Sequence, residues 1–206
     1  MKKFNLVACA SALMVLALSV QPAAAALKAN VGGLSDYVYR GVQQSSGTGY
    51  AGIDYDIAGA YVGAWAADMP LGIETDLYAG YGFAFTENLS LKGGVLGYFY
   101  SDDAYDDAYE IGATFTAWFA SIEIAKGVVD TNPDTDYTFV ALTGNYKDVY
   151  AKVGAFGDDL DGNYFEIGLK KKVNDFTVGA ALVNADEDLD DQAKLVFDLK
   201  YEFDVL

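Results

Sequence analysis

Beyond residue 27 the chain keeps a two-residue beat. In its last stretch, "AKLVFDLKYEFDVL", Leu195, Phe197, Leu199, Tyr201 and Phe203 fall on one face of an extended strand, and Lys194, Asp198, Lys200, Glu202 and Asp204 on the other. A slip of one residue would exchange the faces completely, so the register is tightly specified. Similar runs, rich in Tyr, Phe, Val and Thr, predict strands over 28–40, 49–57, 60–67, 73–85, 88–100, 107–117, 119–129, 136–146, 148–156, 163–172, 174–184 and 192–204. Nothing in this region sustains a 3.6-residue period, and no apolar run is long enough for a membrane helix.

The connections alternate in length. Short ones fall at Ala58-Gly59, Thr86-Glu87, Trp118, Lys147 and Val173-Asn174. Longer ones fall at Gly41–Thr48, Asp68–Leu71, Ser101–Asp106, Asp130–Thr135, Gly157–Asp161 and Ala185–Asp191. This rhythm predicts an all-β, antiparallel, up-and-down transmembrane β-barrel of 12 strands, or of 8 or 10 if the loops are longer. An even count leaves both termini on the short-turn, periplasmic side. Ten residues at about 3.3 Å each, tilted near ~40°, rise about 25 Å, the height of the apolar band in such barrels. Interface girdles are expected from Tyr37, Tyr39, Trp65 and Phe99 at the loop end, and from Phe83, Phe85, Trp118, Phe176, Tyr201 and Phe203 at the turn end. A soluble β-sandwich would alternate too; the loop rhythm and the N-terminus favour the barrel.

That N-terminus carries Lys2 and Lys3, an apolar stretch from Phe4 to Val20, and then "QPAAAA", the parts of a cleaved secretory signal peptide over 1–26, with the barrel at 27–206. "LVAC" resembles a lipobox but lies too early, with apolar residues continuing beyond it. Cys9 leaves with the signal, so the mature chain has no thiol or disulfide chemistry. It keeps thirty acids against eleven of the thirteen bases, a net charge of −19. Such a balance excludes nucleic acid as a partner and argues against docking on an anionic membrane surface.

Charge on a lipid face costs about 2–4 kcal/mol for Lys or Arg at the midplane, so the polar face of each strand must line the lumen. This places Asp36, Arg40, Asp54, Asp56, Glu74, Asp76, Lys92, Glu110, Glu123, Lys152, Glu166, Lys170, Asp198, Lys200 and Glu202 along the interior, with Asp175 and Lys194. Lys126 breaks the sorting; it either snorkels toward the loop end or follows a bulge at Gly127. Arg40, the only arginine, shares a face with Asp36 and Val38, and pairing across Gly41–Thr48 would set Asp36 opposite Asp54. A guanidinium there can fork to several carboxylates, either as a structural bridge from the first strand to its neighbours or as a charged constriction.

The stretch "SDYVYRG" followed by "QS", with "YVGAWAAD", "ETDLYAGYGF" and "YEIGATF" further on, resembles the TorF family of proteobacterial outer-membrane porins over nearly the whole mature chain. Gln43 stands where such proteins usually carry a small hydroxyl residue, and the chain ends on Leu206 where many outer-membrane barrels end on an aromatic. The resemblance implies a pore. Twelve strands fall between the side-chain-filled interior of about eight and the open channel of roughly sixteen. The expected function is a monomeric, narrow diffusion channel for small solutes or ions, cation-preferring through its acidic lumen and mouth. The rival is a closed structural or surface-interaction barrel with a charge-paired plug, and inward side chains touching across the axis would favour it.

Expected partners are outer-membrane lipid and lipopolysaccharide, the outer-membrane assembly machinery, and the solutes or cations themselves. No cofactor or resident metal is expected: the acid-rich loops miss the EF-hand spacing, since its first and last positions would be Gly157 and Gly168. The chain has no histidine, which removes the usual nucleophile–base pairs, so no enzyme is expected.

Overall fold

The structure, a computed structural model, describes residues 25–101 and 105–206. Most of the expected signal peptide, and Asp102–Ala104 of one acidic loop, lie outside the described residues. Twelve strands form where the alternation runs: β1 (Ala26–Tyr39), β2 (Val42–Ile57), β3 (Ala60–Met69), β4 (Gly72–Thr86), β5 (Leu89–Tyr100), β6 (Ala108–Ala117), β7 (Ala120–Val129), β8 (Thr135–Tyr146), β9 (Val149–Asp158), β10 (Asn163–Val173), β11 (Phe176–Ala185) and β12 (Lys194–Asp204). Each pairs antiparallel with its sequence neighbours, and β1 closes on β12 from Lys28↔Asp204 to Leu34↔Asp198, giving a closed barrel. Closure leaves no edge strand, which a bilayer requires.

The turn-end connections are two-residue hairpins. Ala58 and Gly59 both have positive φ (51° and 88°), and Trp118, Lys147 and Asn174 also sit in the left-handed region. Primed turns of this kind match the right-handed twist of the strands they join. On the outside, Ile53, Val62, Leu77, Val95, Ile111, Ile124, Leu142 and Phe197 stand exposed in a continuous apolar band, a surface suited to lipid rather than water. Exposed Phe83 and Phe85 (rings 4.9 Å apart), Trp118, Phe176 and Phe203, with Tyr201 between the last two, form the expected turn-end girdle.

The loop end departs from expectation. The predicted loop Gly41–Thr48 is mostly strand: the turn is Arg40-Gly41 alone, with φ of 46° and 88°, and β2 begins at Val42. Asp36 therefore lies opposite Ser46, and Asp54 opposite Lys28. Tyr37, Tyr39 and Trp65, expected in the outer girdle, are buried inside; at that end Phe99 packs edge-on against Tyr109 on the outer face.

One fact explains these differences. β1 leaves β12 after Leu34, and β2 joins β3 only from Tyr50↔Ala67, so residues 35–49 have strand partners only within the β1–β2 hairpin. This hairpin folds into the lumen, where both of its faces meet protein, and the rule of one apolar face and one polar face lapses. Trp65 differs for a simpler reason: its outward neighbours are Ala64 and Ala66, too small to mark the lipid side in the sequence.

Candidate functional site: the lumen

Most of the charged side chains that alternation selected point inward. Along β2 to β12 the inward face holds ten carboxylates: Asp54, Asp56, Glu74, Asp76, Glu110, Glu123, Glu166, Asp198, Glu202 and, at the turn end, Asp204. Lys92, Lys152, Lys170, Lys194 and Lys200 are inward too, joined by Lys28 and Lys172, which the alternation did not single out. With Arg40 this makes eight cations, so the wall is close to neutral and not strongly acidic. Asp36 is held at the mouth by Gln43 and Ser46, and Asp175 lies in an exposed turn.

Arg40 does not staple the first strand to its neighbours. It reaches across the axis. Its Nη1 donates to Glu110 Oε2 at 2.7 Å, and its Nη2 to Glu110 Oε1 at 3.1 Å and Glu123 Oε1 at 2.9 Å. Its Cζ lies 3.8 Å from the Phe139 ring centroid and 4.9 Å from that of Tyr39. In a twelve-strand ring, β6, β7 and β8 form the wall facing β1. Lys152 Nζ, 3.5 Å from Glu123 Oε2, extends the network to β9. The Arg40 and Glu110 side chains are 1% and 2% exposed, so each charge is kept by the other and by aromatic packing.

Inward tyrosines, which a sort by charge passes over, build much of the remaining lining. Tyr78 lies over Gly63 of β3 and donates to Asp54 of β2 at 2.5 Å; Tyr137 lies over Gly127 of β7 and donates to Glu110 of β6 at 3.0 Å. Tyr50 covers Gly32 and donates to Asp198 at 2.8 Å, while Tyr150 covers Gly168 and donates to Glu166. Glycine is needed at these positions because an added Cβ would overlap the ring, and the phenol gives a half-buried or buried carboxylate a hydrogen bond. Tyr61 covers Gly80, and Lys92 Nζ sits 4.0 Å above its ring.

The two ends of the lumen differ in filling. Toward the loops, Tyr37 donates to buried Glu74 at 3.0 Å beside buried Asp76, and Tyr98, Tyr137, Phe139 and Tyr164 close around the hairpin tip. Toward the turns, Asp54, Asp56, Lys92, Glu166, Lys170, Lys200 and Glu202 keep contact with solvent. Outside, β7 is continuous through Gly127, so no bulge explains Lys126: it points outward at the loop end and pairs with Asp158 at 2.8 Å. Among the described residues no group of three or more His, Cys, Asp or Glu is arranged to hold a metal ion.

Closed twelve-strand geometry, an apolar outer band and a charged interior define a transmembrane β-barrel of the porin fold. The KdgM porin shares it, with 12% identity, 87% of this chain and 99% of KdgM covered, and a TM-score of 0.59; KdgM in complex with disordered oligogalacturonate gives 11%, 87%, 99% and 0.59. A structure from work on in-meso crystallization of membrane proteins matches at 12% identity, 87% and 84% coverage and a TM-score of 0.61. Residues 20–194 match the family described as "Bacterial protein of unknown function (Gcw_chp)", and the chain belongs to that family. No curated protein matches it.

Proposed function

We propose that the protein is a porin-like channel of the bacterial outer membrane, passing small solutes or ions with a preference for cations. The observation that carries this reading is the solvent-accessible, charged turn-end half of a lumen enclosed by an apolar-faced barrel. Inward ionisable groups that keep contact with solvent, and are not consumed in a charge-paired plug, suit a passage for hydrated solutes. The resemblance of Ser35–Gly41 to the TorF porins points the same way. Cation preference is supported chiefly at the mouth, where Asp130, Asp134, Asp159, Asp161, Glu187, Asp188 and Asp191 concentrate negative charge, the wall itself being almost balanced. An anionic oligosaccharide such as the oligogalacturonate bound by KdgM is therefore not the solute expected here.

The test is conductance of the refolded mature protein in a planar bilayer under a salt gradient. Discrete steps with a cation-selective reversal potential support the reading. Absence of steps from folded protein, with the inward hairpin removed as well, overturns it and leaves the closed structural barrel, a reading favoured by the contact Arg40 makes across the axis.

A further inference from the structure

The hairpin of residues 35–49 is more than a narrow place in a channel. Resting on the porin reading above, we propose that it is a hinged gate, latched shut across the lumen by Arg40 on Glu110 and Glu123. Its tip reaches far beyond its own strands. Tyr37 contacts Glu74 of β4 and the Trp65 ring of β3 (centroids 5.5 Å apart), Arg40 contacts β6, β7 and β8, and Gly41 lies against Tyr164 of β10 and Leu189 of the last loop.

Three features make this a movable part and not a fixed filling. Its base leaves the backbone ladder of the wall on both sides, pairing with β12 ending at Leu34 and pairing with β3 ending at Tyr50. The wall accommodates that departure: the Phe197 N–H of β12 donates to Ser35 Oγ at 2.9 Å. Second, the β2 limb has a pivot, Gly47 at φ +69°, with open space around both it and Gly49. Third, a recess of about 870 Å³, lined by Val42–Ser46, Asp68–Pro70, Leu189 and Asp190, lies beside that limb at the mouth and gives it room to swing.

The latch is carried by a turn. Arg40 holds the left-handed backbone of the first position of the two-residue Arg40-Gly41 hairpin, and that turn presents its side chain to the carboxylates of the far wall. Releasing those carboxylates frees the tip to withdraw toward the vacant outer flanks of β3 and β12. Continuing the two registers outward sets Thr48 opposite Met69 and Asp36 opposite Val196, so an open hairpin has backbone to pair with.

Single-channel recording tests this on the full-length mature protein, with heat-modifiable gel mobility confirming that each barrel is folded. Wild type should dwell closed with brief openings. Arg40→Ala and the isosteric pair Glu110→Gln with Glu123→Gln should each raise open probability at least ten-fold. Replacing Asp36–Ser46 by Asn-Gly should hold the channel open. Wild type as open as the deletion, or folded latch variants gating like wild type while the deletion conducts, overturns the gate and leaves the channel standing. A folded deletion barrel that conducts nothing removes the channel reading, and the gate with it.

Discussion

At the residue scale, tyrosine over glycine is the recurrent unit of this interior. A tyrosine on one strand lies flat over a glycine of the next, and for Tyr78 and Tyr137 the phenol meets a carboxylate one strand further on. Adding a methyl at Gly127 or Gly63 displaces the ring and uncouples its hydrogen bond, so Gly127→Ala should cost about 1–3 kcal/mol in unfolding free energy measured by urea titration in lipid vesicles. Gly144, whose Cβ position is open, is the control and should tolerate alanine without loss. Arg40 belongs to the same scale. Removing it leaves Glu110 buried without its counter-charge and Glu123 with Lys152 alone, a change of about 3–5 kcal/mol by the usual cost of breaking a buried pair. Arg40→Lys restores charge but not the fork to both carboxylates, and should recover only part of that stability in the same titration.

At the element scale, strands are legible where one face meets lipid and obscure where neither does. The alternation of β12 placed Leu195, Phe197 and Leu199 outward and Asp198, Lys200 and Glu202 inward, and the barrel keeps every one of them there. The same logic located Glu110 and Glu123 on the inner wall. It failed for residues 41–48, because "GVQQSSGT" shows no apolar face in a hairpin that has left the wall. It also failed for Tyr37 and Tyr39, aromatic residues that look alike in a girdle and in a packed lumen. The partners of Arg40 lie 70 and 83 residues away on the opposite wall, and pairing of adjacent strands carries no information about that distance. On β7 the lipid-face rule yields a sharp contrast. Ile124→Lys, in the exposed apolar band, should cost about 2–4 kcal/mol by vesicle titration. Lys126→Leu, two residues nearer the loops where the side chain reaches Asp158, should leave the unfolding midpoint where it was.

At the scale of the whole molecule, charge is divided between a nearly balanced wall and a strongly acidic mouth, and the two respond differently to salt. Wall charges are partly buried, with Glu110, Glu123 and Glu202 ion-paired, so added ions screen them less; mouth carboxylates stand in water. The screening length falls from about 10 Å at 0.1 M salt to roughly 3 Å at 1 M. If the mouth supplies the selectivity, the cation preference read from the reversal potential should be clear at the lower concentration and nearly vanish at the higher. Neutralising exposed loop acids that hold no ion pair among the described residues, by Glu187→Gln, Asp188→Asn and Asp191→Asn together, should bring low-salt selectivity toward the high-salt value while leaving unitary conductance at high salt unchanged. Asp190 is spared in that design because it sits 3.6 Å from Lys194, and its loss would disturb the start of β12 along with the field. Selectivity that survives both high salt and the triple substitution would instead locate the discriminating charges inside, among the carboxylates of the turn-end lumen, where Asp54→Asn and Asp56→Asn become the variants that decide it.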